Sequence, residues 1–330
     1  MVSYTTQNNL KEIVSNILKK QSDLKSIFFV GCGASLSELY GAAYFLKQNA
    51  LNLHVEWIQA NEFNYSHPKL ANKTAAVIVA SLSGETKESV HAVKKAESLG
   101  CHTIALTHVP ESSLTKDADY TVVHSFFEDY ASKAAKQKNA LGLAVEFLQQ
   151  VEGFDLYSKM KQGLDVVDDI TNFAADSVKK EAIEFGKKYK DESTIYTLAS
   201  GANYGVGYST ANFIFMEMQW ISSPILDSGE YFHGPFELTV KDAPYLLFMS
   251  DGKTRHLDAR ALEFFQKYNA KYTVIDAKDF WLDSKMSSEI VDYFDPLVLT
   301  GVMRVYAEEL SKARKHPLSK RRYMWKLENY

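Results

Sequence analysis

Two cysteines in 330 residues are too few to staple a fold, and Cys32 and Cys101 stand in such different settings that neither a disulfide framework nor a metal site is indicated. Both read as small buried residues. No apolar run approaches the roughly 20 residues that a membrane helix requires, and the N-terminal stretch lacks the apolar core of a signal peptide. The expectation is a cytoplasmic protein with no membrane partner. Charge is nearly balanced, 37 Lys and Arg against 41 Asp and Glu for a net −4, and it is dispersed, so no basic stripe offers itself to nucleic acid. The nine histidines are scattered, without HxH or HExxH spacing, so no metal and no cofactor is signalled.

A chain of 330 residues is long for one core and comfortable for two units. Residues 10–24 have helical periodicity and predict a leading helix docked on the first unit. Residues 26–31 (SIFFVG) form a short continuous apolar run, as in a parallel strand buried on both faces, and end in GCGAS before a helical stretch at 35–47. A strand that delivers a Gly-rich turn into a helix start suits phosphate, because unpaired N–H groups and the helix dipole face the anion. GCGASLSEL is neither GxGxxG nor a P-loop, so nucleotide is poorly supported, and a plain tight turn stays open.

Further strands are expected at 53–59, 75–81, 102–107 and 120–124, with helices at 87–99 and 131–151. The third strand runs into Ser81-Leu82-Ser83-Gly84-Glu85-Thr86, where three hydroxyls surround a glycine and each can add a hydrogen bond to those of the backbone amides. Two such turns in one doubly wound parallel sheet point to a single phosphorylated ligand at the strands' carboxyl ends. Lys133, Lys136 and Lys138 either face that phosphate or form a solvated helix face.

Residues 152–190 read as a linker helix pair, after which strand, Gly/Ser turn and helix recur. Strands are expected at 193–199, 243–250 and 271–276, and helices at 208–221, 257–268 and 298–312. The division is residues 1–151, 152–190 and 191–330. The second half lacks the hydroxyl cluster, so the better phosphate site belongs to the first. In the 208–221 helix, Phe213, Met216 and Trp220 mark the buried face, which makes Glu217 hard to place as a surface charge. Beyond it a loop carries Glu230, His233 and Glu237. A carboxylate and a histidine in different environments hold different protonation states, as proton shuttling beside a carbonyl requires. The plainer alternative is a satisfied buried carboxylate and a turn histidine beside Gly234-Pro235. The tail, residues 316–330, places Arg321, Arg322 and Lys326 among Tyr323, Met324 and Trp325, and so many large apolar groups predict that it packs back on the protein. His67 and His316, each before a proline, read as turn residues.

Read together, GCGAS, SLSGET, ASGANYG and EYFHGP resemble the tandem sugar isomerase (SIS) family, including the isomerase half of glucosamine-6-phosphate synthase, over nearly the whole chain. YTLASGANYGVGYS, MEMQWI, GEYFHGPFE and HPLSKRRYMWK are closer still to the fructoselysine-6-phosphate deglycases. The resemblance implies an α/β fold of two SIS domains, each a doubly wound, flavodoxin-like α/β/α sandwich on a mostly five-stranded parallel sheet. It implies phosphate binding by Ser35, Ser81, Ser83 and Thr86, with Leu82 between them by its backbone. Glu217 and His233 would be the acid/base pair and Lys326 the C-terminal cation closing the site, with Glu230 and Glu237 as possible support. In this family the histidine comes from the neighbouring subunit, which implies a homodimer with its site at the subunit interface. The substrate implied is a phosphorylated sugar-amine, and the reaction is cleavage to glucose 6-phosphate and an amino acid.

Departures from the synthase pattern bear on the choice. Ile214 stands where synthases carry Lys, Leu82 stands where they carry Gln, and Val2 rather than a nucleophilic Cys follows Met1, so no source of ammonia is expected. A phosphosugar isomerase or aminating isomerase is the first alternative, and a phosphosugar sensor without catalysis the second.

Overall fold

A computed structural model describes residues 4–327, so residues 1–3 and the last three of the tail, 328–330, lie outside the described residues. The first sheet is parallel throughout, in the order β2-β1-β3-β4-β5, from β1 (Ser26–Gly31), β2 (His54–Gln59), β3 (Ala75–Ala80), β4 (His102–Thr107) and β5 (Tyr120–Val123). Its helices are α1 (Gln7–Lys20), α2 (Gly33–Ser37), α3 (Tyr40–Asn49), α4 (Ala60–Ser66), α5 (Lys87–Ser98), α6 (Ser113–Lys116) and α7 (Ala135–Val151). Then come α8 (Tyr157–Ser177) and α9 (Lys179–Tyr189). The second half contains β6 (Tyr196–Ala199), α10 (Tyr204–Ser209), a π-helix (Thr210–Gln219), β7 (Ile225–Asp227), β8 (Pro244–Met249), α11 (Arg255–Lys267), β9 (Lys271–Asp276) and α12 (Asp295–Ala313). Its parallel sheet runs β7-β6-β8-β9.

Three features depart from the expectation. The helix foreseen at 35–47 is two helices, broken where the Trp57 indole donates to the Leu36 carbonyl at 2.7 Å. The second sheet has four strands among the described residues rather than five. Where the fifth would follow, short 3-10 turns at Ala277–Phe280, Leu282–Ser284 and Val291–Tyr293 bring Ala277, Phe280, Leu282, Val291 and Tyr293 into the core without strand alternation. The pair α8 and α9 is more than a linker: Met160, Leu164, Val167, Ala174, Ala182, Phe185 and Tyr189 are buried.

Strand alternation explains the layers. In β1, Ile27 and Phe29 join one apolar cluster and Phe28 and Val30 another; in β3, Ala76, Ile78 and Ala80 oppose Val77 and Val79 in the same way. In the second sheet, Leu246 and Phe248 join the cluster of Ile27, while Tyr245 and Leu247 face a third. One face of each sheet therefore shares a central apolar layer with α1, α3, α7, α8, α9 and α12. Close approach within that layer is set by Gly186, where a Cβ would stand 2.8 Å from the Glu309 carbonyl on α12. No helix among the described residues is long and apolar enough to cross a membrane.

The second sheet's carboxyl edge is filled by the protein's own acids. Asp258 Oδ2 accepts the Ser250 N–H at 2.9 Å and Asp295 Oδ2 accepts the Asp251 N–H at 2.8 Å, both side chains fully buried. Burial pushes the Asp295 carboxyl well above the usual carboxylate range, opposed by the Asp251 N–H and reinforced by the charges of Asp251 and Asp292. A carboxyl whose folded-state pKa is raised contributes its stability below the unfolded value and loses it as pH rises through the folded one. Asp295→Asn, which cannot ionise, is therefore expected to lose less thermal stability than the wild type between about pH 5 and about pH 8. Melting curves at both pH values check this; equal losses in the two proteins would show that Asp295 is not the titrating group.

Candidate functional site

The glycine turn after β1 is fixed by close packing. Gly31 is in register with Ala80 at the end of β3, and a Cβ on it would lie 3.1 Å from Leu36 N and 3.3 Å from the Ala80 carbonyl. Gly33 takes φ +57, the left-handed region that glycine enters without steric cost. Ser35 follows in α2, and its hydroxyl accepts a hydrogen bond from Lys136 Nζ at 2.8 Å. The structure separates the three lysines left open by the sequence. Lys133 lies on the rings of Phe126 and Phe127, and Lys138 pairs with Asp168 at 2.6 Å. Lys136 alone is turned inward, 3% exposed, and paired with Glu38 Oε2 at 2.6 Å.

The second turn leaves β3 beside the first. Ser81 is buried, its Oγ 3.0 Å from Thr86 Oγ1 and accepting the Gly84 N–H at 3.2 Å, while Ser83 Oγ accepts the Glu85 N–H at 3.2 Å. The Leu82 carbonyl is held by the His108 N–H at 3.1 Å and by Thr107 Oγ1 at 3.2 Å, so the end of β4 braces the loop. Gly84 has φ +70, and a Cβ there would fall 2.0 Å from Ser112 Oγ, which excludes any other residue without rearrangement. Thr86 caps α5 with no side-chain cap bond, leaving first-turn amides for an anion.

Glu217 belongs to the π-helix, and this shifts its surroundings from those expected. The wider helical repeat turns Ala211, Phe215 and Gln219 to the core, whereas Phe213 and Trp220 are half-buried and Met216 is exposed. The Glu217 side chain is 21% exposed, and its Oε1 lies 2.7 Å from Nη2 of Arg321, itself 7% exposed. Burial raises the Glu217 pKa, and the Arg321 charge and hydrogen bond pull it back down. The helix also touches the first turn: the Phe213 ring comes within 3.5 Å of where a Cβ on Gly33 would stand. Tyr40 and Tyr204, with ring centroids 5.5 Å apart, and Trp57 and Tyr208, 5.9 Å apart, continue that contact.

The tail reaches Glu217 through a different cation from the one the resemblance suggested. Arg321 makes the ion pair, while Lys326 is exposed and its Nζ donates to the Arg321 carbonyl at 2.7 Å. The tail packs back only in part. Arg322 sits 4.1 Å and Lys320 5.0 Å from the centre of the Trp220 ring, but Tyr323 and Trp325 are 65% and 75% exposed in the single chain. His316 packs edge-on against Trp220 with centroids 4.4 Å apart.

His233 projects from a loop anchored by aromatic rings. Tyr231 is fully buried against Phe264 and Phe265 and hydrogen-bonded to Thr239, which in turn lies 2.8 Å from the Tyr245 hydroxyl. Phe232 carries the Arg260 guanidinium 3.9 Å above its ring. Between these anchors and the turn at Pro235–Leu238, His233 is exposed, as are Glu230 and Glu237. Among the described residues no hydrogen bond or ion pair joins His233 to Glu217, and the side chains of Glu230 and Glu237 make none. Two cavities, of about 340 and 290 Å3, lie along the N-terminal segment; Lys138 lines the second, and neither is lined by the serine-turn residues, Glu217, His233 or Lys326.

Sequence reasoning named Lys136 among three lysines and Arg321 among three tail cations without separating either from its neighbours. Lys136 falls on the same helical stripe as Ala140, Leu143 and Phe147, all buried, and Lys138 falls off it; Lys133, seven residues before Ala140, shares the stripe in spacing but lies in the 3-10 turn Ala131–Ala134 ahead of α7. That spacing separates Lys136 from Lys138 but not from Lys133. Nothing local distinguishes Arg321 from Arg322.

Residues 22–126 match the SIS domain. Over 313 residues, 94% of this chain and 94% of the relative, the sequence is 38% identical to fructosamine deglycase FrlB of Bacillus subtilis strain 168. Over 321 residues, 96% of this chain and 90% of the relative, it is 25% identical to fructoselysine 6-phosphate deglycase of Escherichia coli O157:H7. The fold superposes on the crystal structure of a candidate phosphosugar isomerase from Salmonella typhimurium LT2 with a TM-score of 0.94, covering 99% of this chain and 98% of that one at 36% identity. With its glycine and serine turns at the switch point of a 2-1-3-4-5 parallel sheet and this likeness along nearly its whole length, the chain belongs to the SIS domain family.

Proposed function

We propose that this chain is a deglycase of phosphorylated sugar-amines, hydrolysing a fructosamine 6-phosphate to glucose 6-phosphate and a free amino acid. The observation that carries the reading is the contact between the glycine turn after β1 and Phe213 of the π-helix that bears the half-buried Glu217, which supports a carboxylate working near a phosphate-type turn. The names of two relatives, one a fructosamine deglycase and one a fructoselysine 6-phosphate deglycase, point the same way.

In this reading Ser35, Ser81, Ser83, Thr86 and the Leu82 backbone grip the phosphate, and that remote binding orients the upper carbons of the sugar. His233 moves a proton between the anomeric hydroxyl and the ring oxygen, which opens the ring. Glu217 takes the C1 proton; the electron pair forms the C1–C2 double bond of an enaminol as the C2 carbonyl oxygen gains a proton. Return of a proton to C2 leaves an imine between C1 and the amine nitrogen. Water adds at C1, the C–N bond breaks, and the amine leaves with the proton that water supplied. Lys326 is assigned to closing the site, Arg321 to holding Glu217, and Glu230 and Glu237 to supporting the His233 loop. The work divides between residues 1–151, which bind the phosphate, and 191–330, which supply the acid and base. A phosphorylated substrate suits a cytoplasmic setting.

His233 is exposed and unconnected to Glu217 within one chain, so the proposal includes a homodimer in which each site takes its histidine from the partner. Three outcomes are expected. Glu217→Gln lowers kcat by ~10²- to 10⁴-fold while glucose 6-phosphate still binds within a few-fold of wild type, read by turnover and calorimetry; normal turnover would remove the base assignment. Arg321→Met moves the acidic limb of the pH–rate profile upward, because burial then raises the Glu217 pKa unopposed; a limb that stays put means that another group titrates. Mixing inactive Glu217→Gln and His233→Ala proteins restores part of the activity through sites that take each intact residue from a different chain. No recovery after confirmed subunit exchange would place both residues in one chain. A panel of sugar-amine 6-phosphates, with fructose 6-phosphate plus ammonia as one arm, separates the deglycase from an aminating isomerase by whether glucose 6-phosphate or glucosamine 6-phosphate accumulates.

A further inference from the structure

The hydroxyl-lined turns meet a problem of charge. A sugar phosphate near neutral pH brings up to two negative charges, and Ser35, Ser81, Ser83 and Thr86 are neutral while Glu85 in the same loop is acidic. Among the described residues, Lys136 is the one cation joined to any of these four hydroxyls, through its 2.8 Å hydrogen bond to Ser35. It is a costly place for a lysine. The ammonium is 3% exposed and sits in the first turn of α7, where the helix dipole opposes positive charge, with one carboxylate, Glu38, as ion-pair partner. His124 does not share the duty: burial pushes its pKa down to about 3, with Lys136 adding to the effect, so it stays neutral.

The bond's direction has a consequence. An ammonium has only donors, so Ser35 Oγ must accept from it, and the serine's own proton is then free for another acceptor. We propose that Lys136 is the charged floor of the phosphate site: it turns the Ser35 hydroxyl into a donor aimed at the phosphate and supplies the positive charge the two turns lack. Glu38 holds the ammonium in place while the site is empty. The inference rests on the phosphosugar reading, and it adds a residue that positions Ser35 and sets the preference for a phosphorylated sugar over its unphosphorylated counterpart.

The test is direct binding of glucose 6-phosphate, by calorimetry, to the wild type, Lys136→Met and the double variant Lys136→Met/Glu38→Gln. The double variant removes both buried charges and so guards against a single variant that fails to fold because Glu38 is left unpaired. Loss of one charge-assisted hydrogen bond predicts binding weakened ~10- to 100-fold in both variants, with the double variant melting near wild type. The inference is overturned if the double variant recovers wild-type affinity, since Lys136 would then only neutralise Glu38, or if Lys136→Met binds as the wild type does. A wild type that binds neither glucose 6-phosphate nor fructose 6-phosphate would instead overturn the phosphosugar reading, and this inference with it.

Discussion

Everything at the site depends on one apolar layer shared by two parallel sheets. Because alternate residues of a strand face opposite ways, β1 and β3 commit Ile27, Phe29, Ile78 and Ala80 to that layer, and β8 commits Leu246 and Phe248 to it from the other half. The helices between them serve both sheets. α12 packs on α8, α9 and the turn before α7, while α7 packs on α1, α3 and α8. The π-helix shares the layer through Phe215, and its Phe213 ring meets Gly33 at the carboxyl edge of the first sheet. The π-helix of one half and the glycine turn of the other are therefore brought into contact by core packing, with no flexible tether between them.

The two halves repeat strand, turn and helix but fill the resulting crevice differently. In the first, the edge between β1 and β3 presents hydroxyls and free amides, with a single lysine behind them. In the second, the equivalent edge between β6 and β8 is occupied by Asp258 and Asp295, which bond the Ser250 and Asp251 amides that an anion would otherwise use. Two carboxyl groups already hold those amides, so a second phosphate would have to displace bonded acceptors. The first edge thus presents hydroxyls where the second is closed by its own acids, and the second half contributes the π-helix and the His233 loop instead.

The parts legible from sequence were those with local contrast. β1, β4 and β9 fall where continuous apolar or alternating runs meet turn residues, and their limits agree with 26–31, 102–107 and 271–276. The parallel order followed from strands alternating with helices. The π-helix was not legible. Phe213, Ile214, Phe215, Met216 and Met218 are apolar almost all round, so no stripe reveals the period, and the buried set 211, 215, 219 emerges only when the wider turn is seen. The missing fifth strand of the second sheet was obscured in the same way, since its replacement turns also bury apolar residues. Serine and glycine positions at the turns could be named because each follows directly from a strand end. The Glu217–Arg321 pair could not, because two distant segments of chain select it and Arg322 next door is chemically identical.

That pair shows why the C-terminal segment matters to a carboxylate so far away in sequence. Docking the tail does two opposed things to Glu217. It helps exclude water, which disfavours the charged form, and it delivers a guanidinium at 2.7 Å, which favours it. The Arg321 guanidinium is itself committed on the other side, donating through Nη1 to the carbonyls of Leu318 at 2.7 Å and Lys320 at 3.0 Å. Its position is set by the turn it terminates, and that turn is held against Trp220 by Lys320, Arg322 and His316. Trp220 in turn closes the π-helix in a left-handed conformation, three residues beyond Glu217. The carboxylate, the ring that ends its helix and the tail that carries its counter-charge form one closed loop of contacts. Displacing any one of them changes the ease with which Glu217 takes or releases a proton.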